Sequence, residues 1–212
     1  MIKLSSDDQN VQDFLDLVHS SLKKMKFKLV LTIDNLFVGK SSVSGYFDEV
    51  DKVIKISILD EDFLEVLVHE FCHFLQFSES DPKYTRLFLN GENMLDELWS
   101  WLDGYGEMET KRKNIIFNTV IEMERDCEKR TIELIKKYSL PIDLENYKNN
   151  AIMYLYYYTY AKKFRTWFLD EISFEDLEEI DMTSLSLDDN FKKLPTQLLE
   201  SFKKISKSPL TT

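Results

Sequence analysis

The 212-residue chain has only three histidines and two cysteines. Two cysteines, Cys72 and Cys127, are too few for a disulfide framework and suit a reducing compartment, where a cysteine is usually a small buried apolar residue. Basic residues are in deficit as well: 27 Lys and Arg stand against 38 Asp and Glu, a net charge of -11. Phosphate backbones and anionic membrane surfaces are bound by basic stripes that release counterions, and here the lysines are interspersed with acids, so neither nucleic acid nor a membrane is an expected partner. The longest aromatic-apolar run, residues 151–161, is too short to span a bilayer and is followed by Lys162 and Lys163. Residues 1–8 show no basic region leading into an apolar core, so the expected location is the cytoplasm. Leu, Ile, Val and aromatic side chains are plentiful enough to bury a core. The expected organisation is one domain over residues 1–170, then an acidic connector and a short C-terminal helix over 171–212.

Periodicity sets out the elements. Ser6 with Gln9 forms a capping-box start, and Val11, Phe14, Leu15, Val18 and Leu22 follow at helical spacing. Phe27, Leu29, Leu31 and Ile33 then alternate with their neighbours, and Ile54, Ile56 and Ile58 alternate with Lys55 and Ser57, which predicts two strands of a small sheet. Gly39-Lys40-Ser41 resembles the end of a phosphate loop, but Asp34 stands where that motif needs its first glycine. A helix with Asp60 as N-cap runs to about Phe77 and is apolar nearly all round, so it is expected to be central. Shorter helices are predicted from Asp81-Pro82 and around residues 95–102, long ones over about 107–138 and 143–168, and a last one near 194–205. The expected class is α+β, mostly helical, with a small N-terminal sheet packed on the central helix and the later long helices.

That central helix carries His69-Glu70-Phe71-Cys72-His73. Histidines four apart share a helix face and can hold one zinc ion at about 2.0–2.1 Å. Glu70 projects toward the metal's water, where it can act as general base. Zinc brings the pKa of that water to about 7 and polarises a carbonyl oxygen. Burying His, Glu and His unpaired in an apolar helix is costly, and a metal removes that cost.

A catalytic zinc site usually takes a third protein ligand. His19 is the only other histidine, on the first helix, and reads as an ordinary surface residue; Gln76 and Glu79 stand where Gly and a third His would complete a longer histidine motif. The long helix offers Glu122, Glu124, Asp126 and Glu128. Phe117, Ile121, Glu124, Glu128, Thr131 and Ile135 fall on one face, and Asn118, Glu122, Asp126, Lys129 and Glu133 on another. Glu124 is therefore the expected third ligand, with Glu128 accepting the N–H of a ligating histidine; Glu122 and Glu79 remain alternatives. The tyrosines at 154, 156, 157, 158 and 160 read first as core, with one hydroxyl able to serve an oxyanion.

With His69-Glu70-x-x-His73 on one helix and Glu124-Arg125-Asp126-Cys127-Glu128 on a later one, the sequence resembles the gluzincin class of zinc metallopeptidases. Over roughly residues 50–170 it looks like small metallopeptidase-type proteins of tailed bacteriophages. The resemblance implies a minigluzincin-like fold and zinc-dependent hydrolysis of peptide bonds in a peptide or protein substrate, in the host-cell cytoplasm if the chain is phage-encoded. In it Cys127 takes the place of a small Ala and Glu128 that of an Asp. It also implies that the strand before the motif helix, residues 53–58, borders the cleft and pairs with the substrate. Two rivals are a catalytically silent zincin-fold binding module and a metal-free helical interaction protein.

Overall fold

A computed structural model of the protein describes residues 9–38, 41–59, 62–89, 91–167 and 180–206. The class is α+β and mostly helical. Helix α1 (Gln9–Lys24) buries Val11, Phe14, Val18 and Leu22, the i, i+3, i+4 stripe that its sequence carries. Ser6, its expected cap, lies outside the described residues. A three-stranded sheet follows, built from β1 (Lys28–Thr32), β4 (Gly45–Asp48) and β5 (Val53–Ser57), with a separate ribbon of β2 (Leu36–Val38) and β3 (Ser41–Val43) between them in the chain. The sheet order is β1-β5-β4, with β1 parallel and β4 antiparallel to β5.

That order corrects the expectation drawn for residues 53–58. Strand β5 has neighbours on both sides, so its backbone is already spent within the sheet and cannot pair with a substrate; the edge on the side of the motif helix is β4. Alternation alone did not reveal β4, whose Gly-Tyr-Phe-Asp text is short and lacks a clear period of two. It is joined to β5 by a tight turn in which the Asp48 carboxylate accepts the N–H groups of Val50 and Asp51, and Lys52 takes a left-handed conformation. Strand β1 departs from its pattern too: Phe27, just before it, is buried, but Leu31 and Ile33 are exposed.

Helix α2 (Phe63–Ser78) carries the motif through the middle of the molecule, between the sheet and the long helix α5 (Thr110–Tyr138). Asp62 is its N-cap and makes no side-chain bond to it; Asp60 lies outside the described residues. Gly45 of β4 passes so close to α2 that a Cβ there would sit 2.6 Å from Ile56 Cδ1 and 2.7 Å from Val66 Cγ1. Phe27, Phe47, Phe74, Phe77 and Tyr84 form an aromatic cluster that joins sheet to helix, with ring centroids 5.2–6.4 Å apart.

Short α3 (Pro82–Thr85), a small ribbon of β6 (Phe88–Leu89) and β7 (Glu92–Asn93), and α4 (Met94–Leu102) lead to α5. Helix α5 ends where Ser139 turns left-handed and the N–H groups of Ser139 and Leu140 bond back to Lys136 and Ile135. Helix α6 (Leu144–Phe164) starts at Asp143, whose carboxylate caps Glu145 and Asn146. Residues 180–190, expected to be a solvated connector, instead pack on α5 and α6. Ile180, Met182, Leu185 and Leu187 contact the apolar core, and Asp189 accepts the Tyr156 hydroxyl at 2.7 Å. The apolar residues between the acids are what composition alone understated. Helix α7 (Thr196–Ser206) then adds Leu198 and Phe202 to the same core. Among the described residues, no helix is long and apolar enough to cross a membrane.

Candidate metal centre

The face of α2 opposite its apolar contacts with the sheet meets α5, and there the chain gathers its polar groups. The turn spacing of α2 brings His69 Nε2 within 3.1 Å of His73 Nε2. From α5, Glu124 Oε2 reaches 3.4 Å from His73 Nε2 and 3.7 Å from His69 Nε2. Ligand atoms held at about 2.0–2.1 Å around a tetrahedral zinc lie about 3.3–3.4 Å from one another, so this triangle has the size of one face of a zinc site. Glu124 Oε2 is buried and has no hydrogen-bond partner. An unpaired buried carboxylate oxygen is costly, and a cation within the triangle would satisfy it.

The remaining nitrogens explain why both Nε2 atoms face inward. Glu128 Oε1 lies 3.3 Å from His69 Nδ1, and Gln76 Oε1 lies 3.1 Å from His73 Nδ1. Gln76 Nε2 donates at 3.0 Å to both the Met123 carbonyl and the Asp126 carboxylate, which leaves its oxygen for the His73 Nδ1–H. Each imidazole thus has an acceptor for its Nδ1–H, and both Nε2 atoms face the same point. The carboxylates are anchored in turn: Tyr158 donates to Glu124 Oε1 at 3.2 Å and Tyr147 donates to Glu128 Oε2 at 2.6 Å.

The charge balance of this cluster favours a cation. Burial opposes the charged form of His69, but Glu128, Glu70 and Glu124 outweigh it and raise its pKa to about 10. Burial likewise opposes the charge on His73, and Glu124 reverses the sign, so that pKa is raised too. Burial would lift the Glu124 carboxyl, yet the two histidines and the Tyr158 hydroxyl hold it below its ordinary range. Glu70 is half-buried beside the histidines, and no hydrogen bond or ion pair with another described residue restrains its carboxylate.

Cys127 is the other donor nearby: His69, His73 and Cys127 offer atoms within 4.8 Å of one another, a group able to hold a metal ion. Its sulfur, however, sits 3.7 Å from His69 Nδ1 and donates to the His69 carbonyl at 3.3 Å. That is the side of the ring claimed by Glu128, away from the Nε2 triangle. Burial first, then Cys72 and the carboxylates, push its thiol well above the ordinary range. Glu124 is the carboxylate that faces both Nε2 atoms.

The other acids named from sequence lie elsewhere. The Glu122 side chain is 48% exposed against 8% for Glu124, and pairs with Arg86. Glu79 pairs with Arg130, which also holds Asp81 and Asp126. Tyr158 and its neighbour Tyr154, with hydroxyls 3.1 Å apart, stand behind Glu124. Gln76 and Tyr147 were not legible as parts of the site, although Gln76 lies three residues past His73, within reach on the same helix face, while Tyr158, one of the tyrosines named for an oxyanion, donates to Glu124. Compared with protein-family models, with curated proteins and with solved structures, the chain finds no match.

Proposed function

We propose that this chain is a zinc-dependent hydrolase that cleaves peptide bonds. The observation that carries the reading is the convergence of His69 Nε2, His73 Nε2 and the unpartnered Glu124 Oε2 on one point. A zinc ion held there would supply an acidified water and a Lewis acid for the scissile carbonyl. Glu70, next to His69 and free of other described partners, takes the proton of the attacking water on its carboxylate and returns it to the leaving nitrogen. With zinc bound, Glu128 and Gln76 would accept the Nδ1–H of each imidazole and leave both Nε2 atoms to the metal.

A peptide is the preferred substrate because of β4. Its outer edge pairs with no described strand, and Gly45 in it touches Val66, one turn before Glu70. An extended chain added at that edge would gain main-chain hydrogen bonds while passing the proposed zinc. The two free, buried cysteines support a reducing cytoplasm as the place of action.

The test is elemental analysis of untagged protein purified without added metal, with hydrolysis of a mixed peptide library read by mass spectrometry. One zinc per wild-type chain is expected, lost in His73→Ala and Glu124→Ala. Glu70→Gln should keep its zinc and lose about 10²–10⁴ in hydrolysis rate. Wild-type protein with no zinc, and no affinity for it when offered, overturns the proposal; zinc with hydrolysis indifferent to Glu70→Gln overturns the role of the base.

A further inference from the structure

On the side of α5 and α6 toward α7, a cleft of about 740 Å³ is lined by Lys113, Lys162, Lys163, Lys192 and Lys193. No carboxylate lines it, and among the described residues none of the five lysines pairs with one. In a chain of net charge -11, five like charges around one concavity make a local excess of positive charge. Two of the ammonium groups lie over rings, Lys113 Nζ 5.0 Å from the centre of Trp101 and Lys162 Nζ 6.0 Å from that of Phe117. Burial, and then the charge of Lys113, lower the pKa of Lys162, which registers a repulsion that an anion would relieve.

The walls carry more than charge. Asn114 and Asn118, one turn apart on α5, add amide groups, while Ile121, Phe191, Leu194 and Leu199 form an apolar side. Phe191 is held with φ 51°, a left-handed conformation unusual for a bulky residue. Its ring packs on Tyr156 and its carbonyl accepts the Thr159 hydroxyl. This fixed corner presents Lys192 and Lys193 at the rim.

We propose that this cleft binds a small, multiply charged phosphate compound of the nucleoside polyphosphate kind. Lysine ammonium groups act as point charges suited to phosphate oxygens, whereas recognition of planar carboxylates favours the arginine fork, and no arginine lines the cleft. The volume suits a ligand of that size, and the apolar wall gives a base or other flat group somewhere to lie. The site is separate from the Nε2 triangle and does not depend on the proposed hydrolysis.

Isothermal titration of the full chain with inorganic tripolyphosphate, with ATP and with a short oligoglutamate peptide tests it, zinc content being measured before and after so that capture of metal by phosphate is seen for itself. One-to-one binding of ATP or tripolyphosphate is expected, weakened about tenfold or more in Lys113→Gln/Lys162→Gln and, independently, in Lys192→Gln/Lys193→Gln, with circular dichroism and zinc content unchanged. Tighter binding of ATP assigns a role to the apolar wall, and equal binding makes the ligand a free polyphosphate. The proposal is overturned if neither phosphate compound binds, if binding survives both double variants, or if oligoglutamate binds as tightly as tripolyphosphate.

Discussion

Replacing Glu128 by Gln is the most discriminating single change at the centre, because it separates the two donor sets without touching either. Glu128 Oε1 faces His69 Nδ1 at 3.3 Å and its other oxygen accepts from Tyr147 at 2.6 Å. Glutamine keeps the volume and one acceptor oxygen but removes the negative charge that makes the imidazole more basic and fixes its tautomer. Loss of such a supporting carboxylate typically weakens metal affinity about 10–100-fold, or about 1.4–2.7 kcal/mol. Competition against a chromophoric chelator measures it, with Glu124→Gln and Cys127→Ala alongside. Glu124→Gln should weaken zinc more than Glu128→Gln, and Cys127→Ala should leave affinity within a few-fold of wild type. Cobalt placed in the site should show no thiolate-to-metal charge-transfer band. Unchanged affinity in Glu128→Gln, with a large loss and such a band dependent on Cys127, would refute the Nε2 triangle and make Cys127 the third ligand.

Three further outcomes are expected. Stripping zinc with a chelator should lower the melting temperature, since a ligand at about 100 times its dissociation constant adds about 2.7 kcal/mol to the folded state; calorimetry with and without added zinc checks this. Gly45→Val should destabilise by about 1–3 kcal/mol in urea titration, because a Cβ there would already lie 2.6 Å from Ile56 Cδ1 and 3.1 Å from the Lys55 carbonyl. Phe71→Ala removes a fully buried ring that packs on Phe14 and Phe74 and should cost about 3–5 kcal/mol in the same assay, with zinc still bound at saturating metal.

What the sequence determined by itself was whatever repeats within one element. The stripes of α1 and α5 follow from 3.6-residue periodicity, and the α5 stripe of Phe117, Ile121, Glu124, Glu128, Thr131 and Ile135 is buried throughout. That phase chose Glu124 over Glu122, and the four-residue spacing of His69 and His73 set their rings on one face. What only the tertiary structure decided depends on which elements become neighbours. The sheet order made β4, not β5, the free edge, because strand pairing is a contact between segments distant in the chain and leaves no period in either. Gln76, Tyr147 and Tyr158 entered the site for the same reason: Gln76 bonds from α2 to α5, Tyr147 and Tyr158 bond from α6 to α5, and no pattern within a single helix records its partner. The five lysines of the α5–α6–α7 cleft lie up to 80 positions apart and meet only because the tail folds back over both long helices.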